Sequence, residues 1–189
     1  MKLSDVPSYA YKDFWSQKPR FSRPFYKLLS FIIAPIATII FNNADTIGVY
    51  HDARLLKTFR ETVQALDNGY SIVIFPEYDQ KDNNILYKFH DKFVDAAKLY
   101  YKKTGKEVKF VPMYLAPKLK RFYFGDPIVF LASEDIEKER ERICQYLSEE
   151  ITKIAKSLPT HTVVPYRNIP KKYYPKNTDT EISYEKANS

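Results

Sequence analysis

The stretch from position 70 to position 99, YSIVIFPEYDQKDNNILYKFHDKFVDAAKL, decides the fold. It begins with residues 70–75, a nearly continuous apolar run of the kind that fills a strand buried on both faces of a parallel sheet. The polar residues 77–84 follow, and residues 89–103 then show helical periodicity, which Gly105 ends. Strand, loop and helix in this order predict one βα unit of a parallel sheet.

The flanking segments extend the same pattern. The further predicted strands are residues 46–50, 108–115, 121–124 and 128–131, the last two around a Gly125-Asp126-Pro127 turn. The further predicted helices are residues 54–67 and 134–157, the second capped by Ser133. We therefore expect an α/β fold with a mixed, largely parallel sheet flanked by helices.

Residues 28–41, LLSFIIAPIATIIF, form an apolar run of 14 residues without a charge, behind a stretch rich in basic and aromatic side chains. At about 1.5 Å per residue the run spans about 21 Å, less than the ~30 Å hydrocarbon core of a bilayer, and Pro35 kinks or divides it. Three interpretations stay open: a buried core helix, an interfacial or re-entrant membrane segment, and half of a helical hairpin. The basic and aromatic flank favours the membrane.

The chain is expected to contain three segments. Residues 1–43 form a basic, aromatic and membrane-associating region, residues 44–158 the α/β domain, and residues 159–189 an extended tail rich in Pro and Tyr. The net charge of +7 favours anionic partners such as lipid headgroups. Nucleic acid is not an expected partner, because basic and aromatic residues do not alternate along one short stretch.

The single cysteine, Cys144, excludes an intrachain disulfide and lies on the apolar stripe of a predicted helix, so we interpret it as a small core residue. Cysteines and histidines with the spacing of a zinc site do not occur, and no bound metal is expected.

Three blocks of the sequence carry a resemblance to a known family. They are Phe75-Pro76-Glu77 after an apolar strand, residues 45–61 (DTIGVYHDARLLKTFRE), and Phe110-Val111-Pro112-Met113. In this order they resemble the third, second and fourth blocks of the lysophosphatidic acid acyltransferases, which esterify glycerol phosphates at membranes. The resemblance covers about residues 44–131.

The resemblance implies a 1-acylglycerol-3-phosphate O-acyltransferase of phospholipid biosynthesis. Such an enzyme transfers an acyl group from acyl-CoA or acyl carrier protein to lysophosphatidate, without a redox or metal cofactor. It implies membrane lipids and a lysophospholipid acceptor as partners, and a location at the cytoplasmic face of a membrane. The implied substrate-binding residues are Phe75, Pro76, Glu77, His51 and Arg54.

The chain departs from the family at the residues that do the chemistry. The family's H-x-x-x-x-D motif precedes the second block, whereas here no histidine precedes His51. His90 and Asp95 have that spacing but follow the third block, and residues five apart on a helix are offset by about 140°. Tyr78 stands where the family has glycine. Whether the chain catalyses acyl transfer therefore stays open, and we expect an acyltransferase-like protein, a shortened and inactive relative, an incomplete copy of a longer enzyme, or a non-catalytic protein that binds a membrane surface or anionic lipid.

Overall fold

The computed structural model describes residues 19–49, 55–78, 85–86, 88–164 and 171–179. The chain divides into two compact units, Met1–Tyr50 and His51–Ser189, which we call the N-terminal and the C-terminal unit.

In the N-terminal unit the apolar run lies within a longer helix, α1 (Arg23–Asn42), which follows a 3₁₀ turn at Arg20–Ser22. Pro24 occupies the first turn, where its missing N–H costs nothing, and Pro35 lies inside the helix without ending it. Ser30 and Ala34 are buried. The opposite side exposes large apolar side chains: Phe25, Leu28, Phe31, Ile32, Ile36, Ile39 and Ile40.

The C-terminal unit contains three α-helices within the described residues: α2 (Leu55–Asp67), α3 (Asp95–Thr104) and α4 (Ile136–Ser157). A 3₁₀ turn at Asp91–Val94 leads into α3, and Gly105, at φ +70°, ends it. Helix α4 begins two residues later than predicted, because Asp135 rather than Ser133 caps it. The Asp135 carboxylate accepts the backbone N–H groups of Glu137 and Lys138, and these bonds lower its pKa.

Four short strands pair in two antiparallel sheets. They are β1 (Lys109–Phe110), β2 (Met113–Ala116), β3 (Arg121–Phe124) and β4 (Ile128–Val129). Strand β1 pairs with β4, and β2 pairs with β3. Lys109 lies opposite Val129, whereas Met113 lies opposite Phe124, so the register shifts by one residue between the two ladders. The two sheets are thus halves of one hairpin that bends at a bulge.

Pro112 and Gly125 form the bend of this hairpin. Pro112 has no N–H to donate to a ladder, but its carbonyl accepts the N–H of Gly125 at 2.9 Å. A Cβ atom at position 125 would lie 3.0 Å from Pro112 Cγ and 3.2 Å from Ile154 Cδ1. Glycine therefore allows the hairpin to approach α4 closely.

The predicted fold class is wrong. Within the described residues the protein is mostly helical, and its only sheets are these two antiparallel pairs. Residues 70–75 belong to no strand, and residues 46–49 form none either. The predicted strand 108–115 is divided at Pro112, and the predicted strand 128–131 shortens to β4. Only the strand at Arg121–Phe124 has the predicted bounds.

The correction has a physical reason. A parallel strand needs a second strand beside it, and a crossover of a dozen or more residues to reach it. The segment between α1 and α2 is too short to supply another strand and helix. Residues 70–75 therefore have the composition of a central strand, but no described residues pair with them as the neighbouring strands that a central strand requires.

One face of α4 forms the core of the C-terminal unit. Ile143 and Leu147 pack in a cluster with Phe89, Val94, Ala97 and Phe130, and Ala155 packs in a second cluster with Tyr114 and Ala116. Ile151 contacts both clusters. The predicted stripe of this helix included Ile143, Leu147 and Ile151, so its orientation is confirmed.

A charged side chain is buried beside this core. Glu139 is 1% exposed, and its carboxylate accepts two bonds from the Arg142 guanidinium and the backbone N–H of Leu131. Arg142 also donates to the carbonyl of Val129 at 2.7 Å. The hydrogen bond from Arg142 is the main cause that lowers the pKa of Glu139. The pair joins α4 to the end of β4.

We predict that Glu139→Gln lowers the free energy of unfolding by about 2 kcal/mol at pH 7, because hydrogen bonds to a buried charge are lost. Urea unfolding measures this loss, and Glu137→Gln in the exposed first turn serves as the matched control. Since the pKa is lowered on folding, the stabilisation holds above pH 4.5 and disappears as the pH falls through the folded-state pKa. A difference between wild type and Glu139→Gln that stayed constant down to pH 3 would contradict this assignment.

Candidate functional site

The predicted substrate-binding block lies at the end of a largely exposed segment that belongs to no strand. Phe75 is 76% exposed. The carbonyl of Pro76 accepts the backbone N–H of His90 at 2.7 Å, and Glu77 forms an isolated antiparallel bridge with Phe89. Glu77 is partly buried at this bridge. The sequence placed it at the mouth of a buried strand, whereas the structure places it in a short pairing of residues 76–78 with 88–90.

His90 and Asp95 are engaged by different partners. The His90 ring stacks on Tyr78, with ring centroids 3.4 Å apart. The Asp95 carboxylate receives two bonds of 2.8 Å from the Arg140 guanidinium, which anchors α3 to α4. This arrangement gives the Asp95 carboxylate a structural role, and it leaves the pair without the geometry of an acid–base dyad.

His51 and Arg54, the other two predicted substrate-binding residues, lie outside the described residues. Within the described part of the chain, no group of three or more His, Cys, Asp or Glu side chains is arranged to hold a metal ion.

An open groove lies between α2 and α3. Its volume is about 550 Å³, within the range of small-molecule sites. We call it the α2–α3 groove; its lining residues are Leu56, Phe59, Arg60, Val63, Gln64, Asp67, Asn68, Leu99 and Lys103.

The α2–α3 groove joins an apolar surface to basic groups. Leu56 in the groove lining is 69% exposed. Arg60 and Lys103 bring positive charge, and Lys103 donates to Asp67 at 2.9 Å. An apolar lining with cationic groups fits an amphipathic anion. Its hydrocarbon chain would cover Leu56 and Leu99, and its anionic headgroup would lie near the cationic side chains.

A buried polar cluster lies elsewhere in the C-terminal unit, at the end of α4. Tyr114 OH and His161 Nε2 are 2.7 Å apart, and both residues are buried. His161 Nδ1 lies 2.7 Å from the carbonyl of Pro159, which can only accept, so Nδ1 carries the proton and Tyr114 donates to Nε2.

Asn177 completes this cluster and has no exposed surface. Its side-chain Nδ2 donates to the backbone carbonyls of Ala155 and Leu158 at the end of α4. Its side-chain Oδ1 accepts the backbone N–H of His161. The bonds from Nδ2 satisfy backbone carbonyls that have no partner within the helix at its C-terminal end. The cluster therefore fastens residues 171–179 to α4, and part of the predicted extended tail is packed.

Cys144 is half-buried, and burial raises the pKa of its thiol to about 11. A thiol with so high a pKa is a poor nucleophile at neutral pH, which agrees with the core role inferred from the sequence.

Comparison of the chain with protein-family models, with curated proteins and with solved structures finds no match.

We predict that Tyr114 makes the protein sensitive to alkaline pH. Burial raises the pKa of Tyr114 from 10.0 to about 12. The contribution of protonated Tyr114 to the free energy of unfolding is therefore complete below pH 10. It is lost as the pH rises towards 12, and the loss is at most about 2.7 kcal/mol for two pK units. In Tyr114→Phe this loss is absent, although the lost bond to His161 lowers stability at every pH.

Urea unfolding at pH 9 and at pH 11.5 tests the prediction, in a Cys144→Ser background that removes the thiol titration. An equal loss of stability in the Tyr114→Phe and Tyr114 proteins between these two pH values would contradict it.

Proposed function

We propose that the protein is a non-catalytic membrane-surface protein that binds anionic single-chain lipids. The observation that carries the proposal is the exposed apolar side of α1 behind a basic end. Within the described residues, Arg23–Ile40 is the one helical segment long and apolar enough to cross a membrane, with a mean hydropathy of 1.4 and 11% of the window buried.

The polar groups of α1 suit insertion in lipid. The Ser30 hydroxyl donates to the Tyr26 carbonyl, and the Thr38 hydroxyl donates to the Ala34 carbonyl, each at 2.8 Å. The side-chain donors are thus bonded within the helix, as hydrocarbon requires. Arg23 and Lys27 lie in the first turns, where they would meet lipid phosphates.

The length of the uncharged part favours insertion from one side. Residues 28–42 carry no charge and span about 22 Å as a helix, shorter than the ~30 Å hydrocarbon core. Pro35 also leaves the carbonyl of residue 31 without its helical donor. We therefore favour an interfacial or re-entrant helix at the cytoplasmic face over a complete crossing.

The α2–α3 groove supports the choice of ligand. Its apolar residues suit one acyl chain, and Arg60 with Lys103 suits a phosphate or carboxylate head. Lysophosphatidate combines both features, so the proposed ligand shares its chemistry with the acceptor that the acyltransferase resemblance implies.

Acyl transfer itself is the second candidate. The order of the three sequence blocks favours it, whereas the pairing of Asp95 with Arg140 gives it no support. The two candidates differ in turnover and not in ligand.

We predict that the full chain floats with vesicles of phosphatidylglycerol and phosphatidylcholine. The double variant Ile32→Glu/Ile36→Glu should reduce the bound fraction at least tenfold, because two carboxylates on the exposed side of α1 oppose insertion. Phe122→Glu, an equally exposed apolar position of the C-terminal unit, is the control and should bind as wild type. Unchanged flotation of the double variant would refute the anchor.

We predict that Arg60→Glu weakens binding of lysophosphatidate at least fivefold, because the change removes a positive charge and adds a negative one beside the head. Lys57→Glu makes the same change of charge on α2 outside the groove lining and is the matched control. Titration below the micellar concentration of the lipid, with detergent-solubilised protein, measures both.

Equal affinities of the two variants would remove the α2–α3 groove from the proposal. Phosphatidate formed on addition of acyl-CoA, and lost in Glu77→Ala, would establish the second candidate instead.

A further inference from the structure

The polar end of the α2–α3 groove lies where two helices finish. Its lining includes Asp67 and Asn68 at the end of α2, and Lys103 in the last turn of α3. The Lys103 ammonium and the Asp67 carboxylate form an ion pair of 2.9 Å at this end, and their side chains are 51% and 40% exposed. The apolar residues Leu56 and Phe59 line the groove nearer the start of α2. The head of a bound lipid would therefore lie towards the ion pair, and its chain towards the other end.

The ion pair leaves the groove lining with one uncompensated positive charge. The lining contains two cations, Arg60 and Lys103, and one anion, Asp67, so its net charge is +1. Within the described residues the Arg60 guanidinium has no hydrogen bond or ion pair. Arg60 and Asp67 are seven residues apart, which places them on the same side of α2, two turns from each other. Arg60 is therefore the cation that an incoming anion would meet.

The helix ends make the Asp67 side of the groove unsuited to further negative charge. Helices α2 and α3 end at Asp67 and Thr104, and the C-terminal end of a helix carries roughly half a negative elementary charge. A cation in the last turn is favourable, as Lys103 is, whereas a carboxylate is unfavourable, as Asp67 is. The charge of Asp67 thus opposes the dipole of its own helix.

A lipid head with two negative charges would meet repulsion here. Its first charge would be compensated by Arg60. Its second would lie beside the Asp67 carboxylate and two helix ends, and it would have to compete with Asp67 for the Lys103 ammonium. Because the Coulomb energy scales with the product of the charges, Asp67 repels a doubly charged head twice as strongly as a singly charged one.

We propose that Asp67 determines the charge of the head that the α2–α3 groove accepts. The preferred ligand is a single-chain lipid whose head is a phosphate diester with one negative charge. The inference rests on the proposed function, since it concerns the same groove and narrows the same class of ligand. Lysophosphatidate also binds through Arg60, but above the second pKa of its phosphate, about 6, it is the weaker ligand.

Two lipids with the same acyl chain test the proposal at pH 8, with the full chain in a mild detergent and each lipid below its micellar concentration. Lysophosphatidylglycerol has one charge on its head, and lysophosphatidate has two at this pH. We expect wild type to bind the first about threefold more tightly. Asp67→Asn should bind both more tightly and shift the ratio of the two dissociation constants about threefold in favour of lysophosphatidate. Because the ratio is compared between proteins, the different sizes of the two heads cancel.

Glu61→Gln is the matched control. Glu61 lies on α2 outside the groove lining, and its side chain, 40% exposed like that of Asp67, is paired with Lys57. This variant should leave the ratio unchanged. Both variants should unfold in urea close to the wild-type midpoint, because exposed ion pairs contribute little to stability.

The outcomes separate this inference from the proposed function. An unchanged ratio in Asp67→Asn, or an equal shift in Glu61→Gln, would overturn the inference, while binding that is weakened by Arg60→Glu would leave the proposed function intact. Absence of binding of both lipids would overturn the two together.

Discussion

Burial of one face of α4 is the interaction on which the C-terminal unit depends. This face supplies Ile143 and Leu147 to one cluster and Ala155 to the other, and the turn before α3, helix α3 and strand β2 all contact α4. Each fully buried large apolar side chain contributes about 1.5–3 kcal/mol. The polar groups near this face are satisfied locally, by Arg142 at Glu139 and by Asn177 at the end of the helix. Helix α2 has no comparable share in the core, which is why its contact with α3 leaves an open groove.

The sequence predicted the helices well and most of the sheet badly, and the difference lies in the range of the interactions. Helical periodicity is a local property, so the bounds of α2 and α4 differ from the predicted ones by one and two residues. The strand at Arg121–Phe124 was also predicted correctly, since its partner is the neighbouring strand in the chain. Residues 70–75 have the composition of a buried central strand, but composition cannot supply the neighbours, and the prediction of a parallel sheet was wrong.

The same limit explains what could be predicted of the candidate site. Helical periodicity predicts which side chains share a face of α2 but not what covers that face, so the sequence did not show that Leu56 lines the α2–α3 groove. His161 had no recognisable partner in the sequence, because Tyr114 lies 47 positions away and Asn177 lies 16 positions away. For the catalytic pair, the spacing of His90 and Asp95 matched a motif, whereas Arg140, 45 positions beyond Asp95, determines where that carboxylate is bonded. In each case a side chain distant in the sequence determines the hydrogen bonds of the residue.

The two exposed apolar segments of the chain differ in the state of their backbone hydrogen bonds. In α1 the amide and carbonyl groups bond along the helix and the hydroxyls of Ser30 and Thr38 bond to it, so only its apolar side chains meet the surroundings. In residues 70–75 the side chains are as apolar, but within the described residues only the N–H of Tyr70 has a backbone partner, the carbonyl of Ala65. In lipid, α1 would leave the carbonyl of residue 31 without its helical donor, because Pro35 has no N–H. For residues 71–75, no backbone hydrogen bond lies within the described residues. Hydrophobicity alone does not distinguish the two segments, whereas their backbone hydrogen bonds within the described residues do.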